Sequence, residues 1–398
     1  MKRTTTLLAF SAALALSACT TSYSPSPEEA ALLSLEPVQV VTPPEHDPAQ
    51  LQVLFWDEPT RSARFRDMES WFAGHEVPAA NAPRALPVGT PLAENLQAEV
   101  RALIAETNAS GVMVLQNGEV RFEGYGLGLT AEQRWTSFSV AKSFTSTLLG
   151  GAIADGFVGS LDDLVTAYVP ELAGSVYDGV TVRQLATMTS GVAWNEDYTD
   201  PNSDVAQMNR FVLEHGPDAT IVQMRGLERE AEPGEKWVYK TGETNLLGLL
   251  VENAIGLPLA EYAQTKIVQP AGFEGGMFWM SDLRGGNIGG CCLSLRLSDY
   301  ARMGQYVLEG GAGHVPDGWF QEATDSAVDF GNSGFGYGYQ WWTYPGANFG
   351  AQGIFGQSIT IVPSDQLVVA VISNWGTATS DANRTKWGEM VAKISFAD

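Results

Sequence analysis

The chain has 398 residues, 44 % of them hydrophobic and 17 % charged, with 46 acidic against 23 basic side chains and a formal net charge of −23. That is globular composition with enough apolar mass for a sizeable core, and its acidity argues against a nucleic-acid binder, which needs clustered Lys and Arg to neutralise phosphates. Three cysteines without a C-x-x-C pair and four scattered histidines without H-E-x-x-H give no structural-zinc, thioredoxin or zincin motif, so neither a metal nor a cofactor is expected.

Residues 1–19 read as an export signal. Lys2 and Arg3 supply the positive start, and Leu7 to Leu16 form an uncharged, mostly apolar stretch too short to span a bilayer. Leu16-Ser17-Ala18-Cys19 then resembles the bacterial lipoprotein signal, in which the cysteine becomes the acylated first residue. Removal of the two cations would take the net charge to −25. The Pro/Ser/Glu-rich stretch that follows predicts a flexible tether over residues 20–50. The expectation is an exported lipoprotein, anchored at Cys19 and facing the periplasm or the cell exterior.

The globular pattern begins at about Leu51. Apolar residues at Leu92, Leu96, Val100, Leu103 and Ile104 predict a helix over 92–106. Asn117-Gly118 between two β-prone runs predicts a hairpin. Residues 139–155 are apolar nearly all round and predict a buried helix with Ser139 in its first turn. Further helices are expected at 181–188, 245–254 and 259–268. Strands are expected at 337–342, 358–362 and 367–373, then a closing helix over 381–394. The order predicts an α+β fold: an antiparallel sheet flanked by N- and C-terminal helices, with an inserted mostly helical domain. Its expected parts are a sheet domain from 51–138 and 285–398, and a helical domain over 139–284.

The sharpest chemical pattern is Ser139-Val140-Ala141-Lys142. Residues three apart share a helix face, so the lysine amine can reach the serine hydroxyl. Serine is a weak nucleophile until a neighbour takes its proton, and lysine does so only when burial lowers its pKa. Adjacent Cys291 and Cys292 are expected to be two separate buried thiols.

The stretch from Ser137 to Ser146 resembles the first motif of class C serine β-lactamases and their penicillin-recognising relatives. Thr189-Ser-Gly191 through Asn195, Tyr198 and Pro201 resembles 6-aminohexanoate-dimer hydrolases and related carboxylesterases of that superfamily. The resemblance implies the β-lactamase/transpeptidase-like fold and a serine hydrolase. In the segment from Glu232 to Asn245 it assigns Tyr239 the family's proton-relay tyrosine and Thr241 the hydroxyl position beside it. A phenol next to an ammonium is expected to have its pKa pulled down. Lys240-Thr241-Gly242 reads as part of this second motif, since the family's Lys-Thr-Gly strand should come later. That place falls on Gly353-Ile-Phe355-Gly356-Gln357-Ser358, where Phe355 replaces the usual Lys or His. The missing charge favours uncharged ester or amide substrates over penicillins. The backbone N–H of Gln357 or Ser358 is expected to pair with that of Ser139 as an oxyanion hole. Tyr198 matches a tyrosine that contacts the substrate amide in dimer hydrolases, while Asp197 and Asp200 read as loop-capping acids.

These patterns point to a metal-free serine hydrolase working through an acyl-enzyme on Ser139, with Lys142 or Tyr239 as the base. The alternatives are a β-lactamase or DD-peptidase, or a non-catalytic lipid-anchored protein that reuses the fold to bind a partner.

Overall fold

In the computed structural model, which describes residues 34–331 and 334–397, the runs on either side of Asn117-Gly118 form the expected hairpin. Asn117 and Gly118 both have positive φ (52° and 77°), as a tight two-residue hairpin turn requires. Among the described residues the strands are, in chain order, β1 (Gln39–Val41), β2 (Gly74–Val77), β3 (Ala109–Gln116), β4 (Glu119–Tyr125), β5 (Arg134–Thr136), β6 (Met277–Met280) and β7 (Leu293–Arg296). There follow β8 (Val328–Asp329), β9 (Gly336–Tyr337), β10 (Trp342–Tyr344), β11 (Asn348–Gln352), β12 (Ser358–Val362) and β13 (Leu367–Ser373). They make two antiparallel sheets, an eight-stranded one ordered β4-β3-β13-β12-β11-β10-β9-β8 and a five-stranded one ordered β1-β2-β6-β7-β5.

The large sheet is covered on both faces, which explains why β3 is buried at every position. Side chains alternate across it. Val112, Val114, Val369 and Val371 pack with Leu96 and Val100 of the helix Glu94–Glu106 and with Trp387 and Met390 of the helix Asp381–Ser395. Met113, Leu115, Val368 and Ala370 point the other way, into the main core shared with Tyr300 and Met303 of the helix Leu297–Leu308. The last helix approaches so closely that a Cβ on Gly304 would lie 2.4 Å from Val368.

Several expectations change. The tether predicted to residue 50 ends earlier, because Gln39–Val41 pairs with Gly74–Val77 and brings the N-terminal arm into the small sheet. Cys19 and the rest of the export signal lie outside the described residues. The predicted strand 337–342 is two short strands, β9 and β10, separated by a turn at Gly338–Trp341. The small sheet has no alternating sequence signature: all four residues of β6 are buried, and one of its two partners, β2, comes from a distant part of the chain. It also places Met277–Met280, from the end of the segment expected to be helical, in a sheet. Cys291 and Cys292 are joined to each other rather than standing as separate thiols.

The turn that carries Ser139 is pinned by aromatic packing. Ser139 lies in a 3-10 turn, Phe138–Val140, that runs directly into the buried helix Ala141–Ala154. Phe138 has φ 44°, a left-handed conformation that is strained for a bulky residue. Its ring packs on Phe65 (4.9 Å between centroids) and Phe355 (5.3 Å). Phe355 is itself left-handed (φ 58°), touches Phe65 at 5.6 Å and carries the Arg61 guanidinium 4.5 Å from its ring centre. The three rings therefore hold two strained backbone positions in register. Truncating a buried aromatic to alanine costs about 3–5 kcal/mol. Phe355→Ala should lose that much in urea unfolding, with reduced turnover as the serine's turn relaxes.

Candidate active site

Ser139 is half-buried and reachable, whereas Lys142, one helical turn on, is 1 % exposed. The lysine ammonium donates to Thr241 Oγ1 (3.0 Å) and to the Gly290 carbonyl (2.9 Å). Among the described residues no carboxylate touches it. Burial lowers its pKa from 10.5 to about 8, against an opposing pull from the negative charge of Glu196.

Two segments deliver these partners. Thr241 opens the buried helix Thr241–Ile255. Gly289-Gly290 threads between that helix and Ala141–Ala154. The Gly289 carbonyl accepts from Thr145 Oγ1 (2.7 Å), and the Gly290 N–H donates to Asn245 Oδ1 (2.9 Å). A Cβ on Gly289 would lie 2.5 Å from the Thr244 carbonyl, and one on Gly290 3.1 Å from the Lys142 amine, so only glycine fits this passage without displacement. Three of the hydroxyls along the serine's helix are bonded, Thr145 as above, Ser143 Oγ donating to the Gln340 carbonyl at 2.7 Å and Thr147 Oγ1 to the Ser143 carbonyl at 2.8 Å, while buried Ser146 Oγ has no partner among the described residues.

Tyr239 comes to the same place. Its phenol is near enough to the Ser139 hydroxyl for that group to act on its pKa, and its ring centre lies 5.3 Å from the Lys142 amine. Trp342 stacks on its ring at 5.6 Å, and Trp237 and Tyr337 pack edge-on. The expected lowering of its pKa does not occur. Burial and the Glu196 charge raise it well above 10, outweighing the Ser139 hydroxyl and the Arg384 charge that act the other way. The phenol is protonated at any working pH.

Thr241 and Tyr198 converge on a residue not singled out from the sequence. Glu196 Oε1 accepts from Tyr198 OH (2.8 Å) and from Thr241 Oγ1; its Oε2 accepts from the Thr241 N–H (3.0 Å) and from Trp194 Nε1. The result is a chain from Lys142 through Thr241 to a carboxylate. Glu196 sits inside the segment that carries Tyr198, but nothing local distinguishes it from Asp197 and Asp200. Those two cap their own loop, accepting from Thr199 and Asn202. Lys240 is apart from the site: its ammonium donates to the Val238 and Met188 carbonyls and pairs with buried Glu243 at 3.6 Å. Its place in the second motif is structural.

The third motif needs the largest revision. Phe355 does not line the cleft as a neutral substitute for a charged residue. It is 2 % exposed, and its ring completes the aromatic core under Ser139, the most favourable place for so much apolar surface. The Gln357 side chain also turns inward, bonding the Ile354 and Ser373 carbonyls and the Ser373 N–H. Gly356 has φ 98°, and a Cβ there would strike Trp375 at 2.3 Å. Ser358 opens β12 opposite Gln352. The residue that packs on the serine's turn is Gly353, where a Cβ would lie 2.5 Å from the Ser137 carbonyl. In this bulge, Gly353–Ser358, the N–H of Gly353 is spent on the Gln357 carbonyl and that of Phe355 on the Ala378 carbonyl. Arg384 clamps the bulge from the closing helix, donating to the carbonyls of Gly353 (2.6 Å) and Gln357 (3.3 Å). Nothing in the sequence marked it. Among the described residues no group of His, Cys, Asp and Glu is placed to hold a metal ion.

Comparison with known proteins identifies the family. Residues 96–280 match the Beta-lactamase family model. The chain is 30 % identical over 292 residues to a 6-aminohexanoate-dimer hydrolase of Paenarthrobacter ureafaciens, covering 68 % of this chain and 74 % of that one. Among solved structures, a putative 6-aminohexanoate-dimer hydrolase from Bacillus anthracis superposes with a TM-score of 0.76 at 20 % identity, over 89 % of this chain and 98 % of that one. A class C β-lactamase in complex with cefoxitin superposes with 0.58 at 18 % identity, over 75 % and 98 %. The chain therefore belongs to the β-lactamase-like serine hydrolases, as a homologue of 6-aminohexanoate-dimer hydrolase.

Proposed function

We propose that the protein cleaves small-molecule esters or amides through an acyl-enzyme on Ser139. The observation that carries this reading is the buried Lys142 amine, one turn from a reachable serine, with a pKa near 8 and no carboxylate in contact. In its neutral form Lys142 takes the serine proton as Oγ attacks the carbonyl carbon. The developing oxyanion is held by the Ser139 backbone N–H together with one from the Gly353–Ser358 bulge. Tyr239, protonated at rest, passes its proton to the leaving alcohol or amine, and the Lys142 ammonium replaces it with the proton taken from Ser139. Water then attacks the acyl-enzyme with the same groups, releasing the acid and regenerating Ser139. The raised Tyr239 pKa favours Lys142 over a resting phenolate as the base.

Ser139→Ala should reduce p-nitrophenyl ester turnover by about a thousandfold or more. A fluorophosphonate probe should add its mass to Ser139 in the wild type; unchanged turnover in the variant would overturn the assignment.

If neutral Lys142 is the reactive form, kcat/KM rises with pH to a plateau, with a midpoint near 8. Glu196 raises the lysine pKa, so Glu196→Gln should move that limb to lower pH. A limb that stays in place would show that another group titrates.

The reading also places the enzyme outside the cytoplasm, acylated at Cys19. Lys2, Arg3, the apolar stretch and the Ser17-Ala18-Cys19 junction support it. Mass spectrometry of the membrane fraction should find acyl chains on an N-terminal Cys19, and Cys19→Ala should leave an unacylated precursor. An unacylated wild type would refute the anchor.

A further inference from the structure

Arg384 does more than a loop clamp requires. It lies in the first turn of the helix Asp381–Ser395, half-buried, with its guanidinium 4.7 Å from the ring centre of Trp375. Two of the five N–H donors of an arginine suffice for the Gly353 and Gln357 carbonyls. In a chain with twice as many acids as bases, no carboxylate pairs with it among the described residues; the titratable groups that act on it are the phenols Tyr344, Tyr239 and Tyr198, all held in their neutral form by burial. Enclosing a cation without an acid is costly, and a neutral donor could hold two carbonyls without that cost.

The same guanidinium lines a cavity of about 530 Å³. Tyr344, Gln352, Ser358 and Thr360 of β10–β12 form one wall, and Arg384 and Trp387 of the closing helix the other. Gln352 Nε2 is bonded to Tyr344 OH at 2.7 Å. Glu389 also reaches this cavity but forms no ion pair with Arg384 among the described residues. The cavity meets the chain at Gln352, one residue before Gly353 packs on the serine's turn. A cation, free donors, a cavity and the nucleophile's turn thus adjoin.

We propose that Arg384 is a specificity residue whose guanidinium receives a carboxylate carried by the ester or amide substrate, in the cavity between β10–β12 and the closing helix. This rests on the hydrolase reading above and reverses the expectation, drawn from Phe355, that substrates are uncharged at this end. Arginine pairs with a carboxylate through two parallel hydrogen bonds, which gives orientation as well as affinity.

The test compares anionic and neutral esters of matched shape. 4-Acetoxybenzoate and its methyl ester place the charge on the leaving group; p-nitrophenyl hemiadipate and p-nitrophenyl hexanoate place it on the acyl group. The readout is the anionic-to-neutral ratio of kcat/KM within each pair, because the neutral ester absorbs any slackening of the loop in the variant. In at least one pair Arg384→Gln should lower that ratio about tenfold or more, the size expected for losing a charged hydrogen bond, and Arg384→Lys should restore part of it. Unchanged ratios in both pairs would overturn the proposal. Should Arg384→Gln fail to fold, inhibition of the wild type decides. Adipate or 4-hydroxybenzoate should inhibit at lower concentration than adipamide or 4-hydroxybenzamide, and equal inhibition within both pairs would overturn it. A wild type that hydrolyses none of the four esters would instead remove the hydrolase reading, and this inference with it.

Discussion

The structure around the site is organised by one constraint, an amine taken out of water with no acid against it. A buried ammonium has three donors to satisfy, and leaving them unbonded costs several kcal/mol. Lys142 finds a threonine hydroxyl and a glycine carbonyl. That requirement brings the N-terminus of Thr241–Ile255 against the serine's helix and draws the Gly289-Gly290 loop between them. It also explains the glycines, since a side chain at either position would occupy the space of backbone or amine. Glu196 touches Thr241 rather than the lysine, which keeps the negative charge one group away. A direct ion pair would stabilise the ammonium and remove the base. The indirect contact leaves the pKa low enough for a neutral amine to be populated near neutral pH.

The second constraint is mechanical. A nucleophile at the head of a buried helix must be turned outward, and the turn is made by a phenylalanine in a left-handed conformation. Such strain persists only where the surroundings over-determine it. Phe65, Phe138 and Phe355 do so by mutual ring packing, and Arg61 closes the stack over Phe355 while bonding the Trp56 and Trp375 carbonyls. Phe355 thus links the serine's turn to the Gly353–Ser358 bulge. Arg384 holds the bulge from outside while Phe355 holds it from within.

Charge is partitioned within the interior. The Lys240–Glu243 pair is fully buried and tied to Ser190 and Tyr177, with burial raising the acid's pKa and lowering the base's. It braces the helix that carries Thr241 without reaching the reacting groups. Lys142 and Lys240 are both buried, but among the described residues only Lys240 has a carboxylate partner.

Local order was legible wherever short-range physics decides it. The Asn117-Gly118 hairpin, the strands at 358–362 and 367–373 and the closing helix follow from turn geometry and from period-two or period-3.6 burial, and they lie where the sequence predicts. The Ser139–Lys142 spacing was legible for the same reason, since a helix sets it without help from the rest of the chain. Resemblance added Tyr239, Thr241 and Tyr198, and all three meet at the site. The small sheet, the paired role of Glu196, the passage of Gly290 and the position of Arg384 were not legible. The last three depend on partners far along the chain, 45 residues away for Glu196 and Thr241, 148 for Gly290 and Lys142, and 31 for Arg384 and Gly353. Phe355 marks the boundary between the two kinds of information. Its sequence place implied a cleft residue, but a left-handed backbone and a waiting aromatic core turned its ring inward. The sequence by itself singled out Ser139 and Lys142 and the elements that carry them. Only the tertiary structure decided which charges surround them, because burial and long-range packing, not residue type, set whether a charged group is neutralised, shifted or left free.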